Sequence, residues 1–353
     1  MRTHNNLFGR IAAFETLHAA NQKARKGKRC RPSCLRFEAQ LEDNLIQLQH
    51  ELLAGEYQLS GYRSFAVHEP KTRTITALIN YRDRVVQQAL IDVIEPLFEP
   101  AFISDSYACR AGKGTHAGAH RVQRMMVSRL RSHGKLYALK ADVRRYFASI
   151  NHATLKTLLR KKIACRQTLL LIDGIIDSYH TPGHAGTGIP IGNLTSQLFA
   201  NIYLDALDQR IKCRLSEKHY VRYMDDFVVL HHDKDRLRYL RIDIELFLAS
   251  QLQLELNHKT QIFPVSVRHG RGLDFLGYHI WPHKRRLRKD SLKRFKRRVR
   301  QLQRRYAEGR THFPQIKQQL ASWIAHARHG DALPAVARYL NSHPFRRSHH
   351  DRH

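Results

Sequence analysis

The sequence predicts an α+β fold, and three observations carry that expectation. Apolar residues recur at helical spacing from Phe37 to Leu52 and again after Leu194. Short strand-like runs lie between such segments, and two of them end in aspartates, Asp142 and Asp225. After "LDFLGYHIW" the chain changes character, to a helix-forming stretch crowded with Lys and Arg. With 353 residues and 42% hydrophobic content the chain can bury a substantial core, and its length implies two or three compact units.

In chain order, Phe37, Leu41, Leu45, Leu48 and Leu52 recur every three or four positions and stop at Gly55, so one core-facing helix is expected there. The preceding "NQKARKGKRCR" packs cations around Gly27 and fits a solvated charge run and a contact with a phosphate backbone equally well. "YRSFAVHEPKTRTITALI" has strand-like runs on both sides of His68 to Arg73, a β-hairpin with cations at its tip. "YRDRVVQQALIDVIEPLF" is expected to be a helix stopped by Pro96 and its neighbours. "SYACRAGKGTHAGAHRVQ" is a Gly-rich basic loop running into a helix. Its "AGKGT" has Tyr107 where a Walker phosphate loop needs Gly, so a basic turn against a nucleic-acid backbone is favoured over ATP binding.

In "KLYALKADVRRYFASINH", alternation from Leu136 puts Ala138, Lys140 and Asp142 on one face and Tyr137, Leu139, Ala141 and Val143 on the other. Asp142 thus ends a strand, where separated segments assemble active sites; a helix N-cap is the bland alternative. "TPGHAGTGIPIGNLTSQLFANIYLDALDQRI" begins as a Gly/Pro-rich loop, with Gly188 and Gly192 allowing close backbone approach, and becomes a helix with Leu194, Leu198, Ile202 and Ala206 on one stripe. "VRYMDDFVVL" places Asp225 and Asp226 in an otherwise apolar run, as a solvent-facing hairpin tip or as a metal site. "KRRLRKDSLKRFKRRVRQLQRRY" is expected to be a helix facing a polyanion.

Charge narrows the partners. The chain holds 61 Lys and Arg against 30 Asp and Glu, a formal net charge of +31 that a polyanion would neutralise. Nucleic acid is the expected partner, ahead of a merely basic soluble protein and of an anionic membrane. No stretch approaches the roughly 20 apolar residues of a membrane span, and the N-terminus lacks a secretory pattern, so a cytoplasmic location is expected. The five cysteines are scattered and odd in number, which suits reduced thiols; "CRPSC" has no second ligand pair for zinc.

Two strand-end aspartates far apart in sequence, in a strongly basic protein, fit a two-metal phosphoryl-transfer site, because two divalent ions need shared hard oxygen ligands. One ion would lower the pKa of a primer 3′-hydroxyl and the other would hold a triphosphate. Nuclease chemistry uses the same ions, so this reasoning does not fix the direction.

The order of motifs resembles the reverse transcriptases. "KADVRRYF" looks like the first palm motif, "GIPIGNLTSQLFAN" the nucleotide-side loop and helix, "YMDD" the catalytic hairpin, "LNHKT" the next motif and "FLGY" the primer grip. The resemblance runs from about Phe37 to Tyr278. It implies a right-hand polymerase, with an antiparallel palm sheet backed by helices and a helical C-terminal thumb. The expected division is a basic helical extension over 1–60, fingers over 61–135, palm over 136–282, thumb over 283–340 and a mobile basic tail over 341–353.

Within that family the chain looks most like the reverse transcriptases of diversity-generating retroelements, since Ile191 stands where most relatives carry Gln and Gln197 where most carry Pro. Such enzymes are implied to copy a template RNA into error-prone cDNA, aided by a small basic accessory protein. The rivals are retron, group II intron-like or antiphage-defence enzymes, and a non-catalytic RNA-binding protein on the same scaffold. The stretch after "FLGY" is too short for a maturase region plus an endonuclease module, which counts against a mobile intron protein.

Carried over residue by residue, the resemblance implies that Asp142, Asp225 and Asp226 hold two Mg²⁺ ions, replaceable by Mn²⁺, with the Val143 carbonyl completing one shell. On a regular strand Asp226 would point away from Asp225 unless the turn redirects it. Lys71 and Arg73 would hold the dNTP triphosphate, and Ile191, Gly192 and Gln197 would border the nucleotide. Phe147 matches the gate that excludes a ribose 2′-hydroxyl. Lys259 is the candidate acid near the departing pyrophosphate, or a surface lysine. Phe275, Leu276, Gly277 and Tyr278 would form the primer grip.

Overall fold

The computed structural model describes residues 3–68, 72–266 and 270–347. Helices α1 (Phe8–Ala12), α2 (Phe14–Ala24), α3 (Pro32–Glu38) and α4 (Leu41–Ala54) come first. The single helix expected from Phe37 is therefore two. Gln40 leaves helical geometry, and the Asn44 side chain reaches back to donate to the Phe37 carbonyl. Leu45, Leu48 and Leu52 do face the core, and Gly55 closes α4 in the left-handed conformation that favours glycine.

Strands β1 (Tyr62–Val67) and β2 (Arg73–Leu78) pair as the expected antiparallel hairpin. Its tip, residues 69–71 with Lys71 among them, lies outside the described residues. Helix α5 (Tyr81–Phe98) runs through Pro96 instead of stopping there, because the buried Phe98 anchors the last turn and the proline forfeits only a hydrogen bond close to the helix end. Helix α6 (Thr115–His133) follows the Gly-rich loop as expected. The first 60 residues are no mere extension, since Leu7, Ile11, Leu17 and Leu45 join one continuous core with α5 and the central sheet.

That sheet is built from β3 (Tyr137–Asp142), β4 (Tyr220–Tyr223), β5 (Asp226–His231) and β6 (Gln261–Pro264), in the order β4-β5-β3-β6 with every pairing antiparallel. Between β3 and β4 run α7 (Tyr146–Ser149), α8 (His152–Arg160), α9 (Arg166–Asp177) and α10 (Leu194–Gln209), the last extended by a π-helical turn over Arg210–Arg214. Helix α11 (Lys234–Leu252) links β5 to β6. The period-2 pattern of 136–143 sorts onto two cores. Leu139, Ala141 and Val143 pack with α8, α10 and α11, whereas Leu136 and Ala138 pack with α6 and the C-terminal elements.

A second antiparallel sheet, β7 (Leu273–Phe275), β8 (Tyr278–Ile280) and β9 (Arg285–Leu287), leads into α12 (Lys289–Ala307), α13 (Phe313–Arg328) and α14 (Leu333–Ser342). A boundary at 282/283 would cut β9 from its partner β8, so the C-terminal helices begin after Leu287. Residues 341–347 are exposed apart from the half-buried Phe345, which lies edge-on to Tyr306 with Arg347 over the same ring; 348–353 lie outside the described residues. Among the described residues no helix is long and apolar enough to cross a membrane.

Candidate active site

Strands β4 and β5 meet in a two-residue turn, Met224–Asp225, flanked by the Tyr223–Asp226 pair. Met224 sits at φ +55°, a left-handed conformation that is strained for a non-glycine residue. Arg222 holds it there. Its guanidinium is fully buried, forks onto Asp208 at 2.7 and 2.6 Å, and donates to the Met224 carbonyl at 3.0 Å. Tyr220 adds a hydroxyl to the same carboxylate at 2.7 Å. Asp208 comes from α10, so the helix that follows the "GIPIGN" loop fixes the hairpin tip.

The turn delivers Asp225 to the end of β3. The Asp225 carbonyl accepts from the Val143 amide at 3.2 Å, and the Asp225 and Asp142 carboxyls lie within hydrogen-bonding reach. Burial, then the Asp142 charge, push the Asp225 carboxyl up to about 6, while Arg73 on β2 pulls it the other way. Asp226 stands directly across from Asp142 in the β3–β5 ladder, so both side chains share one face of the sheet. Burial raises Asp226 to about 7 against the pull of Lys140, with Asp142 and Asp225 adding to the rise. The turn therefore resolves the register concern: Asp225 is redirected toward Asp142, and Asp226 lies beside them.

Among the described residues no three His, Cys, Asp or Glu side chains converge as a ready-made ligand set. The centre is a carboxylate pair with a third carboxylate adjacent. Two observations still fit a hard divalent cation. The Asp142–Asp225 pair holds like charges together, and Asp226 Oδ1 is buried without a hydrogen-bond partner. Asp142, Asp225 and Asp226 are the residues that would hold such ions.

Asn257 went unremarked in "LNHKT", yet its side chain donates to Asp142 Oδ2 at 3.1 Å and its amide to the Asp142 carbonyl at 2.7 Å. Lys259, two residues on, is exposed. Arg222, Asp208 and Lys140 were missed as well. A charged residue inside an apolar strand was the available signal for Arg222 and Lys140, as it was for the aspartates.

The nucleotide-side residues divide. Phe147 packs against the core edge-on to Tyr146, at 5.6 Å between centroids, and its carbonyl accepts from the Ile189 amide at 2.9 Å. The Ile191 carbonyl accepts from Thr76 of β2 at 2.9 Å, tying this loop to the β1–β2 hairpin. Gly192 has φ +123°, and a Cβ there would meet Ile75 at 2.9 Å. Gln197 and Gly192 both border a pocket of about 190 Å³ shared with Lys28, Arg84, Gln87 and Asn193. Burial, then Arg84, lower the Lys28 pKa, and the side-chain amides of Gln87 and Asn193 have buried nitrogens without partners. This pocket concentrates donors, as a phosphate contact requires.

The β7–β8 turn, Leu276–Gly277, has φ of +53° and +88°, the conformation of a tight hairpin, and buries Phe275 and Tyr278. Cations on α12 line a groove of about 800 Å³ toward α13, among them Arg294, Arg297 and Arg298.

A family model described as reverse transcriptase (RNA-dependent DNA polymerase) matches residues 67–280. Protein YkfC of Escherichia coli is 28% identical over 287 residues, covering 69% of this chain and 73% of its own. The group II intron-encoded protein LtrA of Lactococcus lactis is 22% identical over 310 residues, covering 68% of this chain; the chain spans half of LtrA's length. Among solved structures, a Candida tropicalis telomerase truncated from its C-terminal domain aligns with a TM-score of 0.52 at 14% identity, over 65% of this chain and 55% of that one. At that identity the likeness shows the fold alone, that of a right-hand polymerase.

Proposed function

The chain belongs to the reverse transcriptase family, the RNA-directed DNA polymerases, and from that premise we propose that it extends a DNA primer on an RNA template at the Asp142–Asp225 pair, with dNTPs as substrates and magnesium as its ion. One observation carries the assignment: the fold presses two carboxylates from distant segments together at a hairpin tip, in a protein of net charge +31. Divalent ions, when bound, supply activation of the primer hydroxyl and neutralisation of the triphosphate.

The protein's own residues do the rest. Asp142 and Asp225 present hard oxygens, and Asn257 fixes the orientation of Asp142. Replacing Asn257 with Leu should lower extension about 10- to 100-fold and raise the magnesium concentration needed for half-maximal rate, as loss of a ligand's supporting hydrogen bond does. Arg73, already close enough to act on Asp225, would hold the triphosphate together with Lys71. Lys259, exposed beside Asn257, would protonate the departing pyrophosphate.

Phe147 would exclude the ribose hydroxyl. The test is extension of oligo(dT) on poly(rA) with dTTP against UTP. The wild type should use dTTP, and Phe147→Ala should narrow the dTTP preference by a factor of roughly 10². Efficient UTP use by the wild type would refute the assignment of Phe147.

A second reading, error-prone cDNA synthesis in a diversity-generating retroelement with a small basic accessory protein, is supported by the apolar Ile191. Its main chain is tied to Thr76, leaving no hydrogen-bonding side-chain group at that point of the loop. Ile191→Gln should lower misincorporation at template adenines, scored by sequencing the cDNA. An unchanged rate would remove Ile191 as the cause. Similarity to LtrA supports the alternative of a group II intron-like enzyme.

A further inference from the structure

Three histidines and one phenol close the joint between α6, the β7–β8 hairpin and α13. The buried Tyr278 hydroxyl lies 2.6 Å from His116 Nδ1 and 3.2 Å from His326 Nδ1. His116 stacks on His329, with centroids 4.1 Å apart and planes 11° off parallel. Arg285 covers the Tyr278 ring and donates to the His329 carbonyl.

The hydrogen bonding has a definite proton requirement. A phenol donates one hydrogen, so it can donate to only one Nδ1, and the other Nδ1 must carry a hydrogen and donate to the oxygen. A neutral pair of opposite tautomers satisfies all three groups. Protonating both imidazoles leaves the hydroxyl without an acceptor and adds two charges. Their neighbours offer no relief: His120 and Arg124 on α6, Arg285 on β9, His329 after α13, and Arg294, Arg297 and Arg298 of α12 along the groove that His326 also borders. Asp331 accepts from the Arg285 amide.

We propose that His116 and His326 are positioning residues that lock the C-terminal helices onto the β7–β8 hairpin through the Tyr278 hydroxyl, and that their protonation opens this lock. The proposal rests on the reading of that hairpin as the primer grip. Burial, then the neighbouring histidines, lower the pKa of both, so the lock is closed at neutral pH. A seated thumb then holds the primer strand between successive additions.

The test compares wild type, His326→Leu, and His326→Asn, which keeps an amide near the Nδ1 position and does not titrate. On a long RNA template with a heparin trap, His326→Leu should shorten cDNA per binding event about fivefold, the factor one ordinary hydrogen bond yields. Its first-nucleotide rate should stay at the wild-type value. At about pH 7.5, above the histidine range, His326→Asn should keep the wild-type length. The pH dependence itself is read without extension, because Asp225 and Asp226 are raised to about 6 and about 7 and acid would slow extension in every variant. Wild-type length in His326→Leu would overturn the proposal. A second readout does not depend on polymerisation: in the free protein, hydrogen exchange of β8 and α13, corrected for its intrinsic pH dependence, should rise on acidification in the wild type only. No such rise refutes the lock, whereas absent extension refutes the polymerase reading.

Discussion

Replacing Asp142 or Asp225 with Asn should lower primer extension at least about 10³-fold, while RNA affinity stays within about threefold of the wild type. Each substitution removes a hard anionic oxygen from the site where cations would be held, and electrostatic stabilisation of that kind is worth several kcal/mol, at 1.36 kcal/mol per tenfold. RNA affinity would come separately, from cations such as those of α12. The same substitutions should stabilise the metal-free protein. Asp225 titrates near 6 in the fold, because of burial and then Asp142, against an ordinary 3.8. The native state therefore binds more protons than the unfolded chain between those values, so stability falls as pH rises through that window. Asp225→Asn should flatten this fall in urea melts without divalent ions. Magnesium should raise the melting temperature of the wild type and not that of the variant. Extension assays and melts on the same preparations check both halves.

Breaking the Arg222–Asp208 pair should produce the largest stability loss. Both side chains are fully buried, and Asp208→Ala leaves the guanidinium without its carboxylate, a loss of about 3–5 kcal/mol in denaturant melts. The double replacement Arg222→Met with Asp208→Leu removes both charges and should recover most of that stability. Extension should nevertheless remain impaired, because the Met224 carbonyl loses its donor and the strained turn that aims Asp225 is no longer held. Recovery of both stability and extension would show that the pair acts only as core packing.

The local elements were legible because their signals are short-range. The alternation at 136–143, the hairpin around 68–73, Gly55 as a helix stop and the stripe from Leu194 each reflect a side-chain period or a backbone conformation that neighbouring residues set. Asp142 and Asp225 stood out because a carboxylate in an apolar run is costly. What escaped depends on partners remote in sequence. Asn257 matters only because β6 pairs with β3, which brings its loop to Asp142. Asp208 looks like a surface residue until Arg222 is folded onto it from another strand. The helix past Pro96 persists because Phe98 is buried, which local propensity does not register, and β9 exists because β8 offers it an edge. That Gln197 faces a pocket with Lys28 and Arg84 depends on the N-terminal helices packing there, which its own motif does not encode.

Folding joins positions 142 and 225 into one pair, which would hold the cations. The direct measurement is anomalous scattering from crystals grown with manganese, template and primer. A manganese peak is expected about 2–2.5 Å from carboxylate oxygens of both residues, as hard divalent ions require. Manganese bound elsewhere, with the two carboxylates apart, would contradict it.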